Sequence, residues 1–252
     1  MATFPTKTTL AVAIATLGVS SVAQAQQQYG DGDDVVAISE WNYDDLYNPS
    51  GFDADWLLDR DVSTDDEDDI GSVENILVND KNQIEAIIVQ IGGVWDIGDT
   101  HVAVPWDQLD VSNNLDASND NIQVPLNADN YDDYDLFDGD NDYVSKSALQ
   151  QVAQVDDDVE AGTNIWKITD LLDDYATVST GAGYGYVENV LFNDNGQIQA
   201  VIISGGDGAY AYPFYGYDYG WQPAYESYNL PYNEDETAGM ENFNIDRYLG
   251  NE

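Results

Sequence analysis

Cysteine is absent from these 252 residues. Disulfides, thiolate nucleophiles and zinc–cysteine clusters go with it. Histidine occurs once, as His101. A general base or metal ligand there has neither cysteine nor a second histidine to work with, so His101 reads as a surface or strand-edge residue. Positive charge is scarce: six lysines and arginines stand against 49 carboxylates, a formal net charge of −43. Nucleic acid and anionic lipid surfaces would repel such a chain, so neither is expected as a partner. Motifs of the GxSxG, HExxH and phosphate-cradling kinds are also missing, and no enzyme activity is expected. Long apolar runs are few. The one from Leu10 to Val22 follows Lys7 and precedes Ala23-Gln24-Ala25. At about 13 residues it is too short for a span of roughly 20, and it has the form of a secretory signal with a small-x-small cleavage site. Residues 1–25 are therefore expected to be a signal peptide. The protein is expected to be exported, periplasmic or extracellular, with no transmembrane span after cleavage.

What the chain does contain is a repeat. "GSVENILVNDKNQIEAIIV" begins at Gly71, and "GYVENVLFNDNGQIQAVII" begins 114 positions later at Gly185. Each reads as two apolar strands around an Asn/Asp turn, and Asn195-Gly196 is a strong hairpin signal. Looser echoes pair "AVPW" at Ala103 with "AYPF" at Ala211, "VPLN" at Val124 with "LPYN" at Leu230, and Trp56 with Trp166. Short strands joined by turns predict an all-β fold. Because Ile84, Ala86 and Ile88 alternate with Ile87, Val89 and Ile91, the strand is apolar on both faces. One face fills a barrel, and the second copy is expected to cover the other.

The matched pieces resemble the PRC-barrel family. Asp61–Val111 carries an acidic turn, Ile-Gly, the Val-x-x-Ile-Leu-Val strand, an Asn/Asp turn, a strand ending in Gly-Gly and a final "VAVPW". The second copy keeps the hairpin but replaces the following segment with a Tyr/Gly-rich run. The resemblance implies two tandem small PRC-like β-barrels joined by an acidic linker with a short helix, Ser145 to Val155. The expected division is lead-in 26–54, first barrel 55–127, linker 128–163, second and divergent barrel 164–233, and tail 234–252. It also implies an adaptor that docks on a protein partner or envelope component, as family domains do in the photosynthetic reaction centre H subunit and a ribosome-maturation factor. A role as accessory to a membrane redox complex is the corresponding alternative.

Candidate contact residues are Trp95, within "GGVWDIGDTH", and the aromatic run holding Tyr210, Tyr212, Tyr215, Tyr217, Tyr219 and Trp221. Tyrosine joins apolar area to a hydrogen-bonding tip, which suits both interfaces and packing on a barrel. Asp138, Asp140 and Asp142 alternate like the start of a calcium loop, but Tyr143 stands where its glycine belongs and Leu149 where its last glutamate belongs. Low-affinity binding of Ca²⁺ or Mg²⁺ is the alternative function those residues carry. The charge surplus predicts adaptation to saline surroundings, because salt screens self-repulsion.

Overall fold

The computed structural model describes residues 35–47, 51–58, 60–64, 70–92, 99–109, 121–125, 143–144, 153–155, 160–161, 164–206, 208–216, 220–222 and 226–250. The described chain is mostly strand. Strand β1 (Gly51–Asp53) leads through a one-turn helix, Ala54–Leu57, into β2 (Asp61–Ser63), β3 (Gly71–Asn79), β4 (Ile84–Gly92), β5 (Asp99–Pro105) and β6 (Asn121–Gln123). The short strands β7 (Tyr143–Val144), β8 (Ala153–Val155) and β9 (Glu160–Ala161) follow. A second series opens with β10 (Ile165–Lys167) and a 3-10 turn, Ile168–Asp170. It continues through β11 (Tyr175–Thr177), β12 (Gly183–Asn193), β13 (Ile198–Gly205), β14 (Gly208–Pro213), β15 (Trp221–Gln222) and β16 (Ser227–Asn229).

Fourteen of these strands form two curled seven-stranded sheets, six in the order β6-β2-β3-β4-β5-β8 and six in the order β15-β16-β11-β12-β13-β14, each with one further strand, while β7 and β9 pair with each other. The two repeat one another in detail. Both have an antiparallel β-hairpin at the centre, and a parallel pairing of β2 with β6 or of β11 with β16. Both hairpins bulge at matching places, between Val73 and Asn75 and between Val187 and Asn189. Such bulges curl a flat sheet toward a barrel. The turns match as well. The Asn79 side chain accepts from the backbone N–H of Lys81 (2.9 Å), and that of Asn193 accepts from the N–H of Asn195 (3.0 Å). Asn82 (φ 59°) and Gly196 (φ 76°) hold the equivalent left-handed turn position, which only asparagine and glycine adopt cheaply.

The further strand in each sheet comes from the other copy. β10 pairs with the end of β3 (Trp166 opposite Val78), and β1 pairs with the end of β12 (Phe52 opposite Phe192). Each lead strand is thus exchanged reciprocally. Trp166 is the counterpart of Phe52, and not of Trp56 as the sequence echo suggested; the spacing of 114 then holds from the lead strand through the hairpin.

The exchange explains the burial. One continuous core runs through both copies, from Val73, Ile76, Ile87 and Val89 to Val187, Val190, Val201 and Ile203. At the junction Phe52 stacks on Phe192 (5.2 Å between ring centroids) and on Trp106 (5.7 Å). The outer faces are covered differently from the expectation. Leu77, Ala86, Ile88 and Ala103 cluster with Ile165 of the exchanged strand. Leu191, Ala200, Ile202 and Ala211 are covered by Leu46, Phe243 and Tyr248, from the lead-in and the tail. The second copy therefore covers the first only in part, and the chain ends cover the second.

Two other expectations are corrected. The helix predicted over Ser145 to Val155 is a strand where it is described, because Ala153–Val155 pairs with β5. His101 is buried at 3% exposure, with its Nε2 3.1 Å from a carboxylate oxygen of Glu74. It belongs to the packed sheet, because β8 covers the edge of β5 on which it sits.

Candidate functional site

The lead-in and the tail face each other across an opening. The 3-10 turn Ile38–Glu40 and the helix Asp44–Tyr47 belong to the lead-in; Glu234–Thr237 and Ile245–Tyr248 are helices of the tail. Helices this short need caps and packing to persist. Asn233 supplies a capping box: its side chain accepts from the N–H groups of Asp235 (3.0 Å) and Glu236 (3.1 Å), while Glu236 accepts from the Asn233 N–H (2.8 Å). Asn244 caps the last helix by accepting from the Arg247 N–H. Phe243 is the hub that joins the two segments. Its ring stacks on Tyr47 (5.2 Å) and meets Tyr43 edge-on (5.2 Å). Tyr248 anchors the tail to the exchange seam by donating to the Phe192 carbonyl (2.6 Å).

A cleft of about 950 Å³ opens between these segments. Its walls carry the aromatic rings of Trp41, Tyr43 and Tyr47 and the carboxylates of Asp44, Asp235, Glu236 and Glu241. Arg247 is the one cation of the lining among the described residues, and its guanidinium lies over the Tyr47 ring at 4.1 Å. The cleft therefore already holds one cation against an aromatic face, a contact worth about 0.5–1 kcal/mol at exposed sites. Burial pushes the Tyr43 hydroxyl up to about 12, so it acts as a neutral donor, to the Glu241 carbonyl at 2.8 Å.

A second cleft, of about 430 Å³, lies beside the exchange seam. Asp53, Asp55 and Glu188 meet Ile202, Phe243 and Leu249 there. Asp53 is buried, and desolvation pushes its carboxyl up to about 6 although the Trp56 N–H opposes the rise. Asp174, immediately before β11, is likewise buried. Desolvation, with Asp170 and Glu226 nearby, raises its carboxyl to about 7. Among the described residues no group of three or more His, Asp or Glu side chains is arranged to hold a metal ion.

The structure divides the sequence candidates. Tyr212 and Trp221 are fully buried; Tyr212 meets Tyr184 at 5.9 Å, and Trp221 meets Trp166 at 5.9 Å. They are packing residues. Tyr210 and Tyr215 are half-buried, and the Tyr215 hydroxyl bonds that of Tyr232 at 2.8 Å. Trp95, Tyr217, Tyr219 and the aspartates Asp138, Asp140 and Asp142 lie outside the described residues. None of the described candidates lines the larger cleft.

A family model for the PRC-barrel domain matches residues 50–131. The chain carries a PRC-barrel domain. The matched span begins at the exchanged lead strand β1 and ends beyond β6, so the PRC-barrel match takes in the whole first series of the fold. The cleft lies outside that span, on the two chain ends. No curated protein matches the chain.

Proposed function

We propose that the chain is a non-enzymatic, exported module that binds or scaffolds a protein partner, with an acidic surface suited to saline surroundings. The cleft between lead-in and tail carries this reading. It joins three aromatic residues to four carboxylates, a lining that favours a polypeptide bearing lysine or arginine. The PRC-barrel domain and the leader-like start of the sequence agree with it. Aromatic rings give a partner anchoring area and carboxylates give steering, and the steering weakens as salt rises.

The test is capture from periplasmic extract at native salt, with the tagged full chain beside a variant carrying Asp44→Asn, Asp235→Asn and Glu241→Gln. A protein held by the parent and released by the variant supports docking in the cleft. Equal retention by both, or none by either, rejects it.

A further inference from the structure

The same edge of the two sheets is closed in two different ways. β5 and β14 are counterparts: each pairs with the second strand of its hairpin and ends in proline, Pro105 opposite Ala86 and Pro213 opposite Ala200. Counting back from the prolines, His101 and Ala103 correspond to Ala209 and Ala211. Beyond β5 lies a true strand: β8 runs antiparallel to it, with Val155 opposite His101 and Ala153 opposite Ala103. Beyond β14, among the described residues, lies no strand. Three groups from the chain ends sit there instead. The Trp41 indole N–H donates to the Ala211 carbonyl (2.8 Å), the Ala211 N–H donates to the Tyr43 hydroxyl (3.4 Å), and the Phe243 N–H donates to the Ala209 carbonyl (2.8 Å).

A bare strand edge is a template for another strand, and proteins cover such edges. Here the cover is light. Two of its three bonds come from side chains of residues 41 and 43, which are half-buried. The lead-in elements that carry or adjoin them are three and four residues long. Elements of that length have little stability of their own. The larger cleft opens directly beside both residues.

We propose that β14 is a strand-accepting edge guarded by the lead-in. When residues 35–47 lift away, an extended segment of a partner polypeptide adds antiparallel to β14 at Ala211, in the place that Ala153 of β8 takes opposite Ala103 of β5, while Phe243 keeps the Ala209 carbonyl. The backbone supplies affinity, and the side chains on either side supply selectivity. The tail carboxylates Asp235, Glu236 and Glu241 select lysine or arginine at its ends.

The inference rests on the docking reading only in taking the occupant to be a polypeptide. The probe is the peptide KKVAQVKK, which sets the Val152–Val155 sequence between lysines. It is titrated in molar NaCl against the full chain, followed by the backbone amide signals of Ala209 and Ala211. Three chains are compared: the parent, Trp41→Ala with Tyr43→Phe, and that pair with Ala211→Pro. The N–H of Ala211 points outward, so the proline removes an edge donor while sparing the ladder to β13. Binding at least tenfold tighter to the paired variant than to the parent, and lost with the proline, is expected. Equal affinity for parent and paired variant, or binding that survives the proline, overturns the proposal. The parent alone gives a second reading should the variants fail to fold. Its Ala211 amide, held by one side chain, is expected to exchange at least a hundredfold faster than that of Val201 inside the sheet; equal protection overturns the proposal. Failure of the carboxylate variant in the capture experiment tells against the cleft, whereas failure of the proline arm tells against the edge.

Discussion

Gln83 and Gln197 face each other in a lone antiparallel bridge between the tips of the two hairpins. The bonds around them are reciprocal. The Ile84 N–H donates to the Gly196 carbonyl (2.9 Å), and the Ile198 N–H donates to the Asn82 carbonyl (2.8 Å). The Gln83 amide donates to the Asn195 carbonyl (3.1 Å), and that of Gln197 donates to the Lys81 carbonyl (2.9 Å). Every partner lies 114 positions from its counterpart, as a local two-fold relation requires. The duplicated hairpin is written twice because each copy completes the other.

The two glutamines are not equal in strength. Gln197 also donates to the Asn82 carbonyl at 2.8 Å. Gln197→Ala is therefore expected to cost more than Gln83→Ala, each within about 0.5–1.5 kcal/mol per bond lost. Urea titration at fixed salt measures the difference.

The exchanged lead strands are held by equivalent asparagines. Asn189 accepts from the N–H groups of Val190 (2.8 Å), Ala54 (3.1 Å) and Asp55 (3.4 Å). Asn75 accepts from the N–H groups of Ile76 (2.9 Å) and Thr169 (3.5 Å) and donates to the Thr169 hydroxyl (2.7 Å). Asn189→Ala strands more buried backbone donors, so it should cost about 2–3 kcal/mol and Asn75→Ala about 1–2 kcal/mol. Denaturant midpoints in one buffer rank the two.

Gly196 couples the turn to the other copy. Its φ is 76°, and an added Cβ would stand 2.7 Å from Trp106 Nε1. Gly196→Ala is expected to destabilise by about 2 kcal/mol, from left-handed strain and displacement of the indole. A fall in the thermal midpoint, together with a shifted tryptophan emission, is the predicted signature.

Asp53 and Asp174 set a pH dependence. Both folded-state carboxyls lie above the ordinary value of 3.8, at about 6 and about 7. Folding therefore favours their protonated forms. Their contribution is complete below about pH 4 and is lost as pH rises through 6 to 7. Stability should fall across that window in molar salt. Asp174→Asn should raise the midpoint at pH 8 and leave it unchanged at pH 4; thermal scans at both values decide.

Salt acts in the same direction as acid. With a net charge of −43, self-repulsion opposes the compact state until ions screen it. At about 1 M salt the Debye length is roughly 3 Å, so the midpoint should climb from low to molar NaCl. An unchanged midpoint would remove the saline adaptation.

The hairpins were legible in the sequence because their signals are local: paired apolar strands, an asparagine at Asn79 or Asn193, and a left-handed residue at Asn82 or Gly196. The exchange was not. β1 and β10 are three residues each, too short for any periodicity, and their register depends on the distant β12 and β3. The cleft was half visible. Trp41, Tyr43 and Tyr47, and Phe243 and Tyr248, stand out as apolar anchors in polar segments. Nothing local joins them, because the Tyr43 hydroxyl finds its partner 198 positions away. His101 misled for a related reason: the strand that buries its edge, β8, lies in the acidic stretch read as a linker.

Reciprocal exchange makes one cooperative unit of two copies, and native-state hydrogen exchange on Asn189→Ala tests this most directly. Asn189 sits in the second copy. The account predicts that the slowest amides of β3 and β4, such as Ile76 and Ile87, lose protection by the same free energy as Val190 and Val201. Loss confined to β12 and β13, with the first sheet unchanged, would contradict it.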